Sequence, residues 1–189
     1  SAPAFDALAE SRARLEQTVA APGAGNFGTA AGWAVLLEQS QAVLDGRAAA
    51  LDAQRASAAV RELTPQLVAA AAGVAKAIGA GRADPLVVNL ERFAVRAQAV
   101  EQDVAALADG TVPVEAASRR LSDNVGYLGQ VVAGLNGEEN TLGIAAAPGA
   151  AAEALQALTA VYRGQQDQVR GALALGDQLE QMQAARNAL

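Results

Sequence analysis

Residues 84–109 place Leu86, Leu90, Phe93, Ala97, Val100, Val104 and Leu107 at alternating steps of four and three. A strand would scatter such a set over both faces, whereas a helix gathers it onto one stripe. The mean step of 3.5 is that of a helix packed along its length against others in a bundle. Residues 113–136 repeat the spacing with Val114, Ser118, Leu121, Val125, Leu128, Val132 and Leu135. Nearly every other stretch reads the same way, so the chain is expected to be all-α, an elongated antiparallel helical bundle.

Ala is the commonest residue and aromatics are 3% of the chain, a balance that favours helix and leaves few strand formers. A length of 189 residues and 52% hydrophobic content suffice for a core. Much of that content is Ala, which buries little area per residue, so the core is expected to be thin, with its larger side chains in a few layers. A deep ligand cavity is not favoured.

The chain has no Cys and no His, which removes disulfides, thiolate nucleophiles, imidazole bases and the usual zinc and haem ligands together. No acid-base constellation is supported by spacing, so no catalytic residue, metal site or cofactor is expected and an enzyme is the least favoured class. The 14 cations are scattered among 20 carboxylates for a net charge of -6, which argues against nucleic acid. The longest apolar run, 67–80, is too short to cross a membrane and contains Lys76, the only lysine. No signal peptide is visible. The abrupt start at Ser1 and stop at Leu189 read as those of a piece of a longer protein.

Punctuation divides the helical pattern. Pro22, Gly23, Gly25, Asn26 and Gly28 end a first helix; Gly79 and Gly81 end another before Asp84-Pro85, an N-cap with Pro at the first helical position. Asp109-Gly110 with Pro113, and Asn136-Gly137, are further stops, and 137–149 is the longest loop. Asp45-Gly46 reads as a tight turn. Thr64-Pro65, and Gly176-Asp177 with Glu180 completing a capping box, read as kinks or breaks. Six helices result, at 4–20, 29–45, 47–80, 84–109, 113–136 and 150–188. If the two long ones break near Pro65 and Gly176, two stacked four-helix modules share them: 1–64 with 177–189, and 65–176. Because 65–80 is shorter than its partner 84–109, a junction before Pro65 is the alternative.

Three patches carry a family likeness: Trp33 through Leu51, Glu62-Leu63-Thr64-Pro65-Gln66-Leu67, and Leu135-Asn136-Gly137-Glu138-Glu139-Asn140-Thr141-Leu142-Gly143-Ile144. In order and spacing they resemble the periplasmic sensor region of the PilJ family, methyl-accepting chemotaxis receptors of type IV pilus systems. The resemblance implies a transmembrane helix at each end of the native chain, a periplasmic location for this part, and a homodimeric inner-membrane receptor. It further implies output to a chemotaxis-type kinase controlling twitching motility, with pilin or another pilus protein as partner. It would place 81–84 and 137–149 together at the membrane-distal tip. Related single-module sensors recognise nitrate, largely through a first helix whose corresponding region precedes Ser1.

The loop is the main candidate contact. Glu138, Glu139, Asn140 and Thr141 offer acceptors beside Leu142 and Ile144, apolar residues in a segment expected to be solvated. The alternative is that Leu142 and Ile144 only plug the bundle end. Arg12 falls on the apolar stripe Phe5, Leu8, Arg12, Leu15, Val19, where it either holds an anion or a partner carboxylate or lies at an edge with its head in water. Gln165, between Tyr162 and Val169, reads as a core hydrogen-bonding or register residue. Arg119-Arg120 and Arg92 with Arg96 read as solvated faces paired with nearby carboxylates, Trp33 as core, and Gly126, Gly129 and Gly134 as close-packing positions. The leading expectation is a pilus-linked sensor domain. The rivals are a small-anion sensor of the same fold and a structural helical adaptor.

Overall fold

A computed structural model describes residues 2–20, 30–79, 81 and 84–189, and these contain helices and no strand. The helices are α1 (Ala2–Ala20), α2 (Ala30–Asp45), α3 (Arg47–Ile78), α4 (Pro85–Asp109), α5 (Val114–Leu135), α6 (Ala152–Leu173) and α7 (Gly176–Ala188), with a 3-10 turn at Gly149–Ala151 before α6. The protein is an all-α helical bundle. The expected stop at 21–28 lies outside the described residues, as do residues 82 and 83 of the α3–α4 connection.

Caps set the boundaries. The Asp84 carboxylate accepts from the Leu86 amide at 2.8 Å, with Pro85 in the first turn. At the other end of α4, Gly110 takes φ 63 and its amide reaches Ala106 and Leu107 oxygens. A side chain there would be strained. The expected last helix is divided, since Ala174 and Leu175 form a turn between α6 and α7. Between α2 and α3 only Gly46 intervenes; its amide donates to Ala42 O at 3.2 Å and its carbonyl accepts from Ala50 N at 3.0 Å. Pro65 lies inside α3 without ending it.

The chain forms two compact units, one of residues 1–52 with 175–189 and one of 53–174. The division in α3 thus falls between Asp52 and Ala53, upstream of Pro65.

In the first unit α1 packs on α2, and α2 on α7. No residue of α1 is buried, yet Phe5, Leu8, Arg12, Leu15 and Val19 are its half-covered stripe. Arg47 of α3 pairs with Asp6 of α1 at 2.7 Å. Gly46 is a close-approach position, because a Cβ there would stand 2.8 Å from Met182 Cβ of α7.

The second unit is a four-helix bundle of the later part of α3 with α4, α5 and α6. Leu67, Phe93, Val100, Val104, Leu121, Leu128 and Leu158 are essentially inaccessible, and each contributes on the order of 1.5–3 kcal/mol by leaving water. The α4 seam lies where the spacing puts it, except that Val87 is buried and Leu86 only half so. In α5 the seam is Val114, Ala117, Leu121, Asn124, Leu128, Val131 and Leu135, while Ser118 and Val125 are half-exposed. Hydrophobicity alone selects Val125 over Asn124. The structure reverses the choice because Asn124 bonds the buried Asp103, described below.

Candidate functional site at the 137–148 loop

The loop begins where α5 stops. Gly137 adopts φ 79, and Glu138 N donates to Ala133 O at 2.9 Å, closing the helix end. The α4 and α5 residues that meet run in opposite order, Asn89 with Tyr127, Arg96 with Asn124 and Asp103 with Arg120. The loop therefore leaves α5 at the end of this bundle where α4 begins.

Asn140 organises the loop. Its Oδ1 accepts from Ile144 N at 2.8 Å and its Nδ2 donates to Ile144 O at 2.9 Å, so one side chain holds both backbone groups of a residue four positions on. Thr141 donates to Gln130 Oε1 of α5 through its amide at 2.7 Å and its hydroxyl at 3.2 Å. Ala147 N donates to Leu135 O at 2.9 Å. Ile144 is buried over Gly134, where a Cβ would lie 2.6 Å from Ile144 Cβ and 2.8 Å from Asn140 Nδ2.

The six residues expected to form one contact surface therefore divide. Ile144 is the plug of the alternative reading. Asn140, half-buried, and Thr141, exposed, have polar groups engaged within the fold as well. Glu138, Glu139 and Leu142 are exposed, Leu142 at 42%, and face solvent from a pinned backbone.

Beside the loop a polar groove separates α5 from α6, lined among others by Asn136, Glu138, Thr159, Tyr162, Arg163 and Gln166. Asn136 Nδ2 donates to Val132 O at 2.8 Å and to Thr159 Oγ1 at 3.3 Å. Tyr162 is buried; its hydroxyl donates to Val125 O at 3.4 Å and accepts from Gln166 Nε2 at 3.2 Å. Gly129 makes room for that hydroxyl, since a Cβ would lie 2.9 Å from it. Burial pushes the Tyr162 phenol above its ordinary pKa, against a smaller opposing pull from the Arg170 cation. Nothing in the spacing of α5 and α6 marks this groove, because its walls are ordinary surface residue types.

A polar chain between α4 and α5 has Asp103 and Asn124 buried and Arg96 and Arg120 exposed, and its Asn124 link was not singled out in the sequence. Arg120 Nε donates to Asp103 Oδ1 at 2.7 Å, Asn124 Nδ2 to Asp103 Oδ2 at 3.2 Å, and Arg96 Nη1 to Asn124 Oδ1 at 2.7 Å. The Arg96 guanidinium also lies 5.6 Å from the Tyr127 ring centre. Arg96 and Arg120 are thus tied into the α4–α5 seam, unlike Arg119, which pairs with Glu115 at the surface at 2.6 Å. An Asp in the apolar register beside Val104, opposite Arg and Asn one turn apart, was the available signal.

Of the remaining expected positions, Arg12 is half-buried and pairs with Glu16 of its own helix at 2.7 Å, while its Nε is buried without a partner among the described residues. Gln165 is 1% exposed and donates to Thr64 Oγ1 at 3.2 Å, a core hydrogen-bonding residue as its position implies. Trp33 is half-covered rather than core, with Nε1 buried and unpartnered. Gly129 and Gly134 are close-packing positions, but Gly126 has nothing near it. Among the described residues no group of His, Cys, Asp and Glu could hold a metal ion, and no helix is long and apolar enough to cross a membrane. Comparison with protein-family models, with curated proteins and with solved structures finds no match.

Proposed function

We propose that this chain is an extracytoplasmic sensor module of a type IV pilus chemoreceptor. It receives a pilus or surface signal and passes it, through small shifts of its long helices and through flanking membrane segments, to a chemotaxis-type kinase. The observation that carries the reading is the loop: Glu138, Glu139 and Leu142 are exposed on a backbone fixed by Asn140, Thr141 and Ile144. Carboxylates flanking an exposed leucine suit a protein contact, and fixing the backbone beforehand reduces the entropy lost on binding. Support also comes from the patches that resemble PilJ-type sensors. The patch around Thr64 supplies a hydroxyl that bonds Gln165 across the bundle, and the patch 135–144 builds the loop itself. No reaction is assigned to the module.

The test is binding of purified pilin by interferometry to the wild type and to the triple variant Glu138→Ser, Glu139→Ser, Leu142→Ser, which leaves every residue that fixes the loop. Binding by the wild type and its loss in a variant with unchanged circular dichroism is the expected result. A folded wild type that does not bind pilin overturns the proposed contact. The second reading, a small-anion sensor, is favoured by one observation, the unpartnered Nε of Arg12 on α1. Calorimetry with nitrate on the wild type and on Arg12→Gln separates it from the first.

A further inference from the structure

The α5–α6 groove holds one charge of each sign. Glu138 enters it from the start of the loop and Arg163 from α6, and both are exposed. Among the described residues neither makes an ion pair, with each other or with a third group. The same groove is lined by neutral groups able to donate and accept, the Thr159 hydroxyl and the amides of Asn136 and Gln166. The Asn136 amide is already turned into the groove by its bond to Thr159. The phenol of Tyr162 is held there by Val125 O and Gln166 and is neutral at physiological pH. Val132, Ala133 and Gly129 also line the groove.

A lone anion would meet Glu138 and a lone cation would meet Arg163, each a repulsion in a groove whose two formal charges cancel. A molecule carrying both charges on adjacent carbons satisfies both walls at once: carboxylate on Arg163 and the Thr159 hydroxyl, ammonium on Glu138. The groove, of about 280 Å³, suits a small molecule. We infer that the groove between α5 and α6 is a binding site for a small zwitterionic α-amino acid, held by Arg163, Thr159 and Glu138. This goes beyond the proposed protein contact and shares only Glu138 with it.

The test is calorimetric titration of the 189-residue chain with L-serine, beside acetate as the anion alone and methylammonium as the cation alone, with amide NMR shifts at residues 136, 159 and 163 reporting place. Saturable L-serine binding is expected, weakened about tenfold or more by Arg163→Gln and by Glu138→Gln, as for loss of a charged hydrogen bond. Acetate and methylammonium are expected to bind at least about tenfold more weakly. Thr159→Val supplies an uncharged variant whose melting temperature should not fall appreciably. Absence of saturable L-serine binding, equal binding by Arg163→Gln, or acetate binding as tight as L-serine each overturns the inference. Pilin interferometry on Arg163→Gln keeps the two proposals apart, since that variant leaves the displayed loop residues intact.

Discussion

Gln165 of α6 donates its side-chain amide to the Thr64 hydroxyl of α3, and that hydroxyl in turn donates to Val60 O at 2.9 Å. The pair sits in an otherwise apolar stack, with Val60 and Leu67 fully buried on either side of Thr64. Gln165→Leu keeps the volume and leaves Thr64 its bond to Val60, so its stability should lie within about 1 kcal/mol of wild type. Gln165→Ala adds a cavity and should lose about 1–3 kcal/mol. Urea unfolding distinguishes them; equal large losses would mean that the hydrogen bond dominates over packing.

Gly134 and Gly126 lie on the same helix with opposite surroundings. A methyl at Gly134 meets Ile144 and Asn140 inside contact distance, and overpacking there should cost about 1–3 kcal/mol and loosen the loop. A methyl at Gly126 meets nothing within 4 Å, and Gly126→Ala should stabilise by about 0.5–1 kcal/mol through helix propensity. Thermal melts with limited proteolysis of residues 137–148 check both signs.

Asp103 accepts from Arg120 and from the buried Asn124. Asp103→Ala leaves the Asn124 amide without its acceptor and should destabilise by about 1–3 kcal/mol. A double-mutant cycle of Asp103→Ala with Asn124→Ala should return a coupling of about 0.5–3 kcal/mol, because the two share one network. Additive losses would mean that the contact is incidental.

The Tyr162 phenol has its pKa raised in the fold by burial, from an unfolded value near 10.0. Its neutral form is the one the native state favours. The associated stability is fully present below about pH 10 and declines as pH rises through the folded value, where the unfolded chain ionises first. Tyr162→Phe should flatten that alkaline decline while losing about 0.5–1.5 kcal/mol at neutral pH from its bond to Val125 O. Denaturant melts at neutral and alkaline pH, with ultraviolet titration of the phenols, measure both.

What the amino-acid order made legible was whatever depends on neighbours along the chain. The α4 seam, the Asp84–Pro85 start and the glycine stops at 110 and 137 follow from local periodicity and backbone preference. The α5 seam was misplaced by one residue at Val125 because Asn124 is buried by virtue of Asp103, 21 residues away. The loop shows the same limit. Its position was legible, but the role of Thr141 depends on Gln130, 11 residues back on α5. The burial of Ile144 depends on the missing side chain of Gly134. Tertiary partners thus give Asn140, Thr141 and Ile144 roles within the fold.

In the 137–148 loop, the residues that fix the backbone and the residues it displays are different side chains. Asn140, Thr141 and Ile144 close the structure on α5, and the side chains of Glu138, Glu139 and Leu142 take no part in closing it. Substitution at the displayed positions is therefore uncoupled from folding. A library randomised at 138, 139 and 142 would vary the chemistry offered at this end of the bundle on one constant frame, whereas the same diversity at 140, 141 and 144 would vary the frame itself.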